Sequence, residues 1–274
     1  MMLAAVLTFS IMNVLVKMLP HLPAVEIVFF RALVSLILSL AVLYRKKLNV
    51  WGTNRKILLL RGLFGTSALI LFFYTLQVMP LASAMVVHYT SPIFTALIAS
   101  WFLGEKMRKL QYLFLLISFG GILLVKGFDS RVEWIDVAAG VGAALLSGAA
   151  YNCIRKLKFT EDSHVIIFYF PLIAMPSTLL LSMFVFGWVW PSIWDLLLLL
   201  AIGVLTQIAQ IFLTKAYQSE EANTVAAVTN FGIVYALGMG WLFFDEGFSW
   251  KVLGGMALVI FGVVLNLGMK KRVS

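Results

Sequence analysis

Four basic residues of this 274-residue chain, Lys17, Arg31, Arg61 and Lys215, fall inside long apolar runs. An ionised side chain at bilayer depth costs about 2.5–3.5 kcal/mol on insertion scales, so each needs a compensating role. Arg31 lies seven residues inside its run, about 10 Å from the nearer end at ~1.5 Å per residue. A guanidinium at that depth either binds or gates an anionic substrate or pairs within the helix bundle. Arg61 lies about one helical turn in, where it could bind substrate, pair with a carboxylate or snorkel to lipid phosphates. Lys17 and Lys215 are close to run ends, and interfacial snorkelling is the simpler account of both.

His88 and Tyr89 stand beside Ser91-Pro92 in the middle of another run. Proline removes a backbone donor, which frees the His88 carbonyl four residues earlier to find water, a side chain or substrate. A protonated His88 could bind an anion or carry a proton; a neutral one would simply bond a neighbouring helix. Asn13, Gln77, Gln207, Gln210, Asn223 and Asn230 can hydrogen-bond a substrate or join helices, where such bonds average about 0.6 kcal/mol. Tyr74, Tyr89, Tyr151 and Trp101 could line a pocket, with packing or lipid contact as the alternative. The candidate substrate-binding set is therefore Arg31, His88, Tyr89, Arg61, Tyr74, Gln207, Gln210, Lys215, Asn13 and Asn230.

Acids are sparse where the bases are buried. No Asp or Glu lies near the centre of an apolar run, and Glu26 is near an edge. Proton relays in pumps use buried Asp, Glu or His. Only His88 and Glu26 are candidates for carrying a coupled proton, which favours exchange or facilitated movement. The chain carries no HExxH, GxSxG or P-loop motif and no paired central carboxylates, so enzymatic chemistry is not expected. Three His and one Cys do not suggest a metal site, and no cofactor is expected. The lone Cys153 allows no intramolecular disulfide and reads as a small apolar filler.

These residues are embedded in a chain that is 62% hydrophobic and 12% charged, with a mean hydropathy of +1.00. A soluble domain is about 45–50% apolar and about 25% charged, so lipid must solvate the helix exteriors. Near-continuous runs of ~20 residues indicate helices; a β-barrel would alternate over about ten. Ten spans result, at 2–19, 24–43, 57–78, 81–103, 110–127, 134–153, 164–187, 193–216, 222–244 and 250–269. The first run has no basic stretch before it and no small-residue cleavage pattern after it, so it reads as a span, not as a secretory leader. Connections are short, and residues 1–274 read as one membrane domain.

The net charge of +9 sits in clusters between runs, the pattern of membrane orientation and not of nucleic-acid binding. With the N-terminus inside, fourteen of the 21 basic residues fall on the cytoplasmic side and only Lys126, Arg131 and Lys251 outside. The positive-inside rule therefore gives N-in, C-in topology in the cytoplasmic (inner) membrane. Trp134, Trp188, Trp190 and Trp194 gather at one interface as an aromatic belt.

The two halves are similar. A shift of 139 lays Asn13, Lys17, Phe29 and Leu33 on Asn152, Lys156, Phe168 and Leu172. A shift of 141 lays Gly62, Gln77, Glu105 and Gly121 on Gly203, Gln218, Glu246 and Gly262, and Tyr74 on Lys215. Residues 1–128 and 129–274 hold five spans each, and an odd number inverts the second copy. The fold class is an all-α polytopic membrane protein of ten transmembrane helices in two inverted five-helix repeats. Such repeats can open one side and then the other, with a substrate site at their interface near the midplane.

Leu60-Arg61-Gly62-Leu63-Phe64-Gly65, Phe72-Phe73-Tyr74, Leu81-Ala82-Ser83-Ala84, Ser91-Pro92-Ile93-Phe94 and Phe102-Leu103-Gly104-Glu105-Lys106 occur in that order. This order resembles the EamA-type transporters of the drug/metabolite transporter superfamily over essentially the whole chain. The second half matches less well, with Ile233 where Pro92 would recur and Asp245-Glu246 where Gly104-Glu105 would. The resemblance implies ten helices in two inverted repeats and transport by alternating access. Because the buried charges are all basic, the expected cargo is a small anionic or zwitterionic metabolite: an amino acid, carboxylate or phosphorylated compound. Membrane lipid and a coupled proton or counter-substrate are the other expected partners. The alternatives are an exporter of aromatic or cationic compounds, using the aromatics for stacking, and a non-transporting scaffold or receptor.

Overall fold

In lipid the backbone must satisfy its own hydrogen bonds, so apolar runs of this length fold as helices. A computed structural model describes residues 1–102, 109–219 and 231–268, and among these it holds eleven α-helices. They are α1 (Met2–Lys17), α2 (Ala24–Arg45), α3 (Arg55–Val78), α4 (Leu81–His88), α5 (Ser91–Phe102) and α6 (Lys109–Phe128). The second half supplies α7 (Trp134–Leu157), α8 (Ser163–Leu181), α9 (Ile193–Ser219), α10 (Phe231–Phe244) and α11 (Trp250–Gly268). A π-helical turn, Ser182–Phe186, extends α8.

Helices α4 and α5 form one span broken at Tyr89-Thr90, so the described residues carry the ten expected spans. Seven of these are long and apolar enough to cross a membrane; α1, α10 and α11 are shorter apolar helices. The protein is a multi-pass membrane protein. The break at α4–α5 follows from Pro92, and the Thr90 hydroxyl takes up the Val87 carbonyl at 2.7 Å. This broken span, Leu81–Trp101, is the most buried of the seven, at 83%. Residues 222–230 of the ninth expected span, Asn223 and Asn230 included, lie outside the described residues, as do Gly104-Glu105-Lys106. Outward faces are strongly apolar, with Trp101, Phe184 and Trp190 all exposed, as lipid-facing side chains should be. That exposure removes Trp101 from any pocket.

The halves pack as their sequence repeat requires. Helices α6 and α11 cross where a Cβ on Gly121 would meet the Gly255 carbonyl at 2.7 Å and the Val259 side chain. Shifted by 141, the same contacts recur in reverse: a Cβ on Gly262 would meet the Phe114 carbonyl at 2.8 Å and Ser118. Likewise Gly62 of α3 abuts Ile173 of α8, and its counterpart Gly203 of α9 abuts Val34 of α2. Small residues at these crossings let backbones approach closely, the usual means of helix association in membranes. Helix α3 lies on α7 as α9 lies on α1, and α2 packs against its own counterpart α8.

The end of the bundle carrying Lys17 is closed by polar contacts. Lys17 Nζ pairs with Glu246 Oε1 at 3.0 Å and donates to the Met79 carbonyl at 2.5 Å. The Glu246 carboxylate also accepts from the Leu81 N–H at 2.8 Å. Gln77 donates to the Leu19 and Leu22 carbonyls, tying α3 to the α1–α2 connection. Glu26 is fully buried there; its Oε1 accepts the Val189 N–H at 2.7 Å.

Candidate functional site

Six of the ten candidate residues, Asn13, Arg31, Arg61, His88, Tyr89 and Gln210, line one cavity of about 120 Å³. They come from α1, α2, α3, the α4–α5 break and α9, so both halves contribute. Phe72, Met85, Ser147, Tyr151 and Phe170 complete much of the wall. Met2 and Val6 also line it, so the cavity reaches the first turn of α1, at the end opposite the Lys17 closure.

Each basic group is placed by its helix and held by aromatic faces. Arg31 is 1% exposed; its Nε donates to Thr206 Oγ1 of α9 at 2.7 Å. Its guanidinium carbon lies 5.2 Å from the Phe170 ring centroid and 5.5 Å from that of Phe73. Arg61, 3% exposed, lies over the same Phe170 ring at 5.4 Å. Cation–π contact stabilises a desolvated guanidinium by ~2 kcal/mol or more. Arg31 Nη1 and Arg61 Nε are buried without a hydrogen-bond partner, and neither arginine pairs with a carboxylate among the described residues. Gly65 makes this arrangement fit: a Cβ there would lie 2.9 Å from Phe170 Cδ2 and press on Arg61 Nη1.

The neutral groups leave polar atoms without partners. His88 stacks on Phe72 with centroids 4.1 Å apart, and its Nδ1 has no partner. Asn13 Nδ2 donates to the Met85 sulfur at 3.2 Å, leaving Asn13 Oδ1 unpartnered, as is Gln210 Oε1. Because a thioether only accepts, the amide nitrogen of Asn13 must face it. Tyr89 rests its phenol against the backbone of α10 at Gly232, where an added Cβ would come within 2.6 Å of Tyr89 Cζ.

Three candidates stand elsewhere. Tyr74 donates to Asp136 Oδ1 at 3.0 Å, an α3–α7 tie near the closed end. Gln207, one turn before Gln210 on α9, turns towards α2 and bonds Ser39 Oγ at 3.0 Å. Lys215 is exposed near the end of α9. Tyr74 and Lys215, equivalent in the repeat, therefore do not share this cavity. Asn230 lies outside the described residues. Lys17, expected to snorkel, is instead held by Glu246, a partner 229 positions away that no local pattern reveals.

Phe170 is the residue that reasoning from the sequence missed. An apolar phenylalanine inside an apolar run carries no signal of its own. The repeat does carry one: the shift of 139 lays Arg31 on Phe170.

The EamA-like transporter family model matches residues 1–127 and again 134–268. The pseudopaline exporter CntI of Pseudomonas aeruginosa (strain UCBPP-PA14) is 35% identical over 266 residues, covering 94% of this chain and 92% of that protein. Solute carrier family 35 member G1 of Mus musculus is 33% identical, over 92% of this chain and 73% of its own length. The S-adenosylmethionine uptake transporter of Rickettsia prowazekii is 25% identical, over 98% and 92%. One crystal structure has a TM-score of 0.72 at 17% identity, covering 98% of this chain and 96% of that one, and shares the fold.

Proposed function

Since the chain belongs to the EamA-like transporter family, we propose that it moves a small anionic or zwitterionic metabolite across the cytoplasmic membrane by alternating access. One observation carries the choice of cargo: two buried guanidinium groups, each with a nitrogen that has no hydrogen-bond partner, line a cavity whose wall contains no carboxylate among the described residues. A buried charge left unpaired costs several kcal/mol, and an anionic substrate supplies what the protein withholds. Arg31, Arg61, His88, Tyr89, Asn13 and Gln210 are the residues assigned to binding.

The halves, residues 1–128 and 129–274, are the moving bodies of this reading. With N-in, C-in orientation in the inner membrane, the Lys17–Glu246 closure lies outside and the cavity lies towards the cytoplasm. Lys156, the counterpart of Lys17, is exposed, and Glu105, the counterpart of Glu246, lies outside the described residues.

Coupling is assigned to exchange or facilitated movement. Glu26 is bonded at the closed end and does not line the cavity; His88 is the one residue of the candidate set that does and could move a proton. Export of aromatic or cationic compounds is the second reading, and the aromatic wall favours it. Against it, the Phe73 and Phe170 rings are already engaged by arginine, and a cationic cargo would meet two further cations.

Uptake of labelled amino acids, dicarboxylates, phosphorylated metabolites and organic cations into liposomes holding the purified chain tests the proposal. Flux of anions or zwitterions that Arg31→Gln lowers tenfold or more is the expected result. Flux of cations alone, unchanged in that variant, would move the assignment to the exporter reading. Binding without flux would make the protein a receptor.

A further inference from the structure

The open valences of the cavity specify more than the sign of the cargo's charge. Arg31 and Arg61 come from different helices, are both nearly inaccessible, line one cavity, and each holds a nitrogen without a hydrogen-bond partner, Arg31 Nη1 and Arg61 Nε. Both pack on Phe170, and each keeps that nitrogen unpartnered, while Arg31 Nε is bonded to Thr206; paired guanidinium N–H groups are what grip a carboxylate. A substrate with a single negative group would satisfy one guanidinium and leave the second cation buried and unmatched.

The same wall offers the complementary chemistry. Asn13 Oδ1 and Gln210 Oε1 are acceptors without donors, and the Met85 sulfur fixes the Asn13 amide so that its oxygen is the free atom. An amide oxygen satisfies an N–H, not another anion. Two guanidinium cations plus two neutral acceptors describe a ligand with two anionic ends and a nitrogen donor.

Given transport of an anionic or zwitterionic metabolite, on which this assignment rests, we propose that the cargo is an amine-bearing dicarboxylate. One carboxylate lies on Arg31, the other on Arg61, and the protonated nitrogen donates to Asn13 and Gln210. The cavity, about 120 Å³ as it stands, suits a compact molecule of this kind.

The test is a binding series on the full chain in detergent, read by calorimetry, with three probes: alanine, succinate and iminodiacetate. The expected result is that iminodiacetate binds at least tenfold more tightly than either of the others. Arg31→Gln and Arg61→Gln should each abolish the advantage over alanine while monocarboxylate binding persists. Asn13→Ala should instead shrink the advantage over succinate. The probe series on the unaltered protein decides the matter even where a variant fails to fold. Equal binding of alanine and iminodiacetate would overturn the two-carboxylate assignment and leave the anionic or zwitterionic reading standing. Equal binding of succinate and iminodiacetate would overturn the role of the amine. Failure of all three to bind, with organic cations binding instead, would overturn both this inference and the reading beneath it.

Discussion

Arg31 and Phe170 occupy equivalent positions in the two halves, 139 residues apart, and they touch, the guanidinium carbon 5.2 Å from the ring centroid. A residue in contact with its own repeat counterpart lies beside the pseudo-two-fold axis. In transporters built from inverted repeats, substrate sites lie near the midplane at the interface of the repeats. The equivalent position is thus a cation in one half and the aromatic that packs against it in the other. The departure from symmetry falls on the residues assigned to binding.

Removing one unmatched charge should stabilise the empty protein and disable it. Arg61 is 3% exposed, packs on Phe170 and has no carboxylate partner among the described residues. Replacing even a buried ion pair by well-packed apolar volume is often neutral or stabilising by about 1–4 kcal/mol, and an unpaired cation has less Coulombic attraction to lose. Arg61→Leu is expected to raise the apparent melting temperature in detergent and to lower flux tenfold or more. A fall in melting temperature would show that Arg61 is a structural strut.

Gly65 is predicted to be intolerant of a single methyl group. Its Cβ would crowd both Phe170 and Arg61, at a typical overpacking cost of about 1–3 kcal/mol. Gly142→Ala is the control, because the added methyl meets only Leu71 Cδ1, at 3.3 Å. Binding titrations should show Gly65→Ala weakened severalfold and Gly142→Ala unchanged. Equal affinities would detach the Arg61–Phe170 arrangement from substrate binding.

The Lys17–Glu246 closure gives a prediction about access. The pair is 3.0 Å apart and its side chains are 13% and 7% exposed. Breaking a buried pair by removing one partner costs about 3–5 kcal/mol, lessened here because Lys17 keeps the Met79 carbonyl. In a Cys153→Ser background, Met12→Cys places a thiol on the cavity wall. Glu246→Ala should speed its labelling by an impermeant maleimide from the outside severalfold. An unchanged rate would mean that the ion pair does not hold that end shut.

These residues also show what the sequence could and could not reveal. Span positions were legible because lipid demands continuous apolar length, and the α4–α5 break because Pro92 cannot continue the hydrogen-bond ladder. Depth was legible too, which is why Arg31, His88 and Asn13 could be chosen. Rotation about each helix was not, because spans apolar on every side carry no amphipathic stripe to mark an inner face. Gln207 and Gln210 are one turn apart at similar depth, yet one faces Ser39 and the other the cavity. Lys17 shows the other gap: its partner Glu246 is distant in sequence and sits at a helix end, where an acid looks unremarkable.

His88 is the residue on which the mode of coupling can be tested. Its ring stacks on Phe72, so His88→Phe keeps an aromatic in that stack while deleting both ring nitrogens. Exchange needs only that the loaded carrier reorient, and no carboxylate lines the cavity among the described residues to relay a proton. In liposomes preloaded with substrate, uptake should therefore be accelerated by the internal substrate and barely altered when a protonophore collapses an imposed pH gradient. His88→Phe should weaken binding modestly, by the loss of one hydrogen bond worth about 1 kcal/mol, and leave exchange intact. Accumulation that follows the pH gradient in the native chain and vanishes in His88→Phe would instead make this histidine the proton carrier and the protein a coupled transporter.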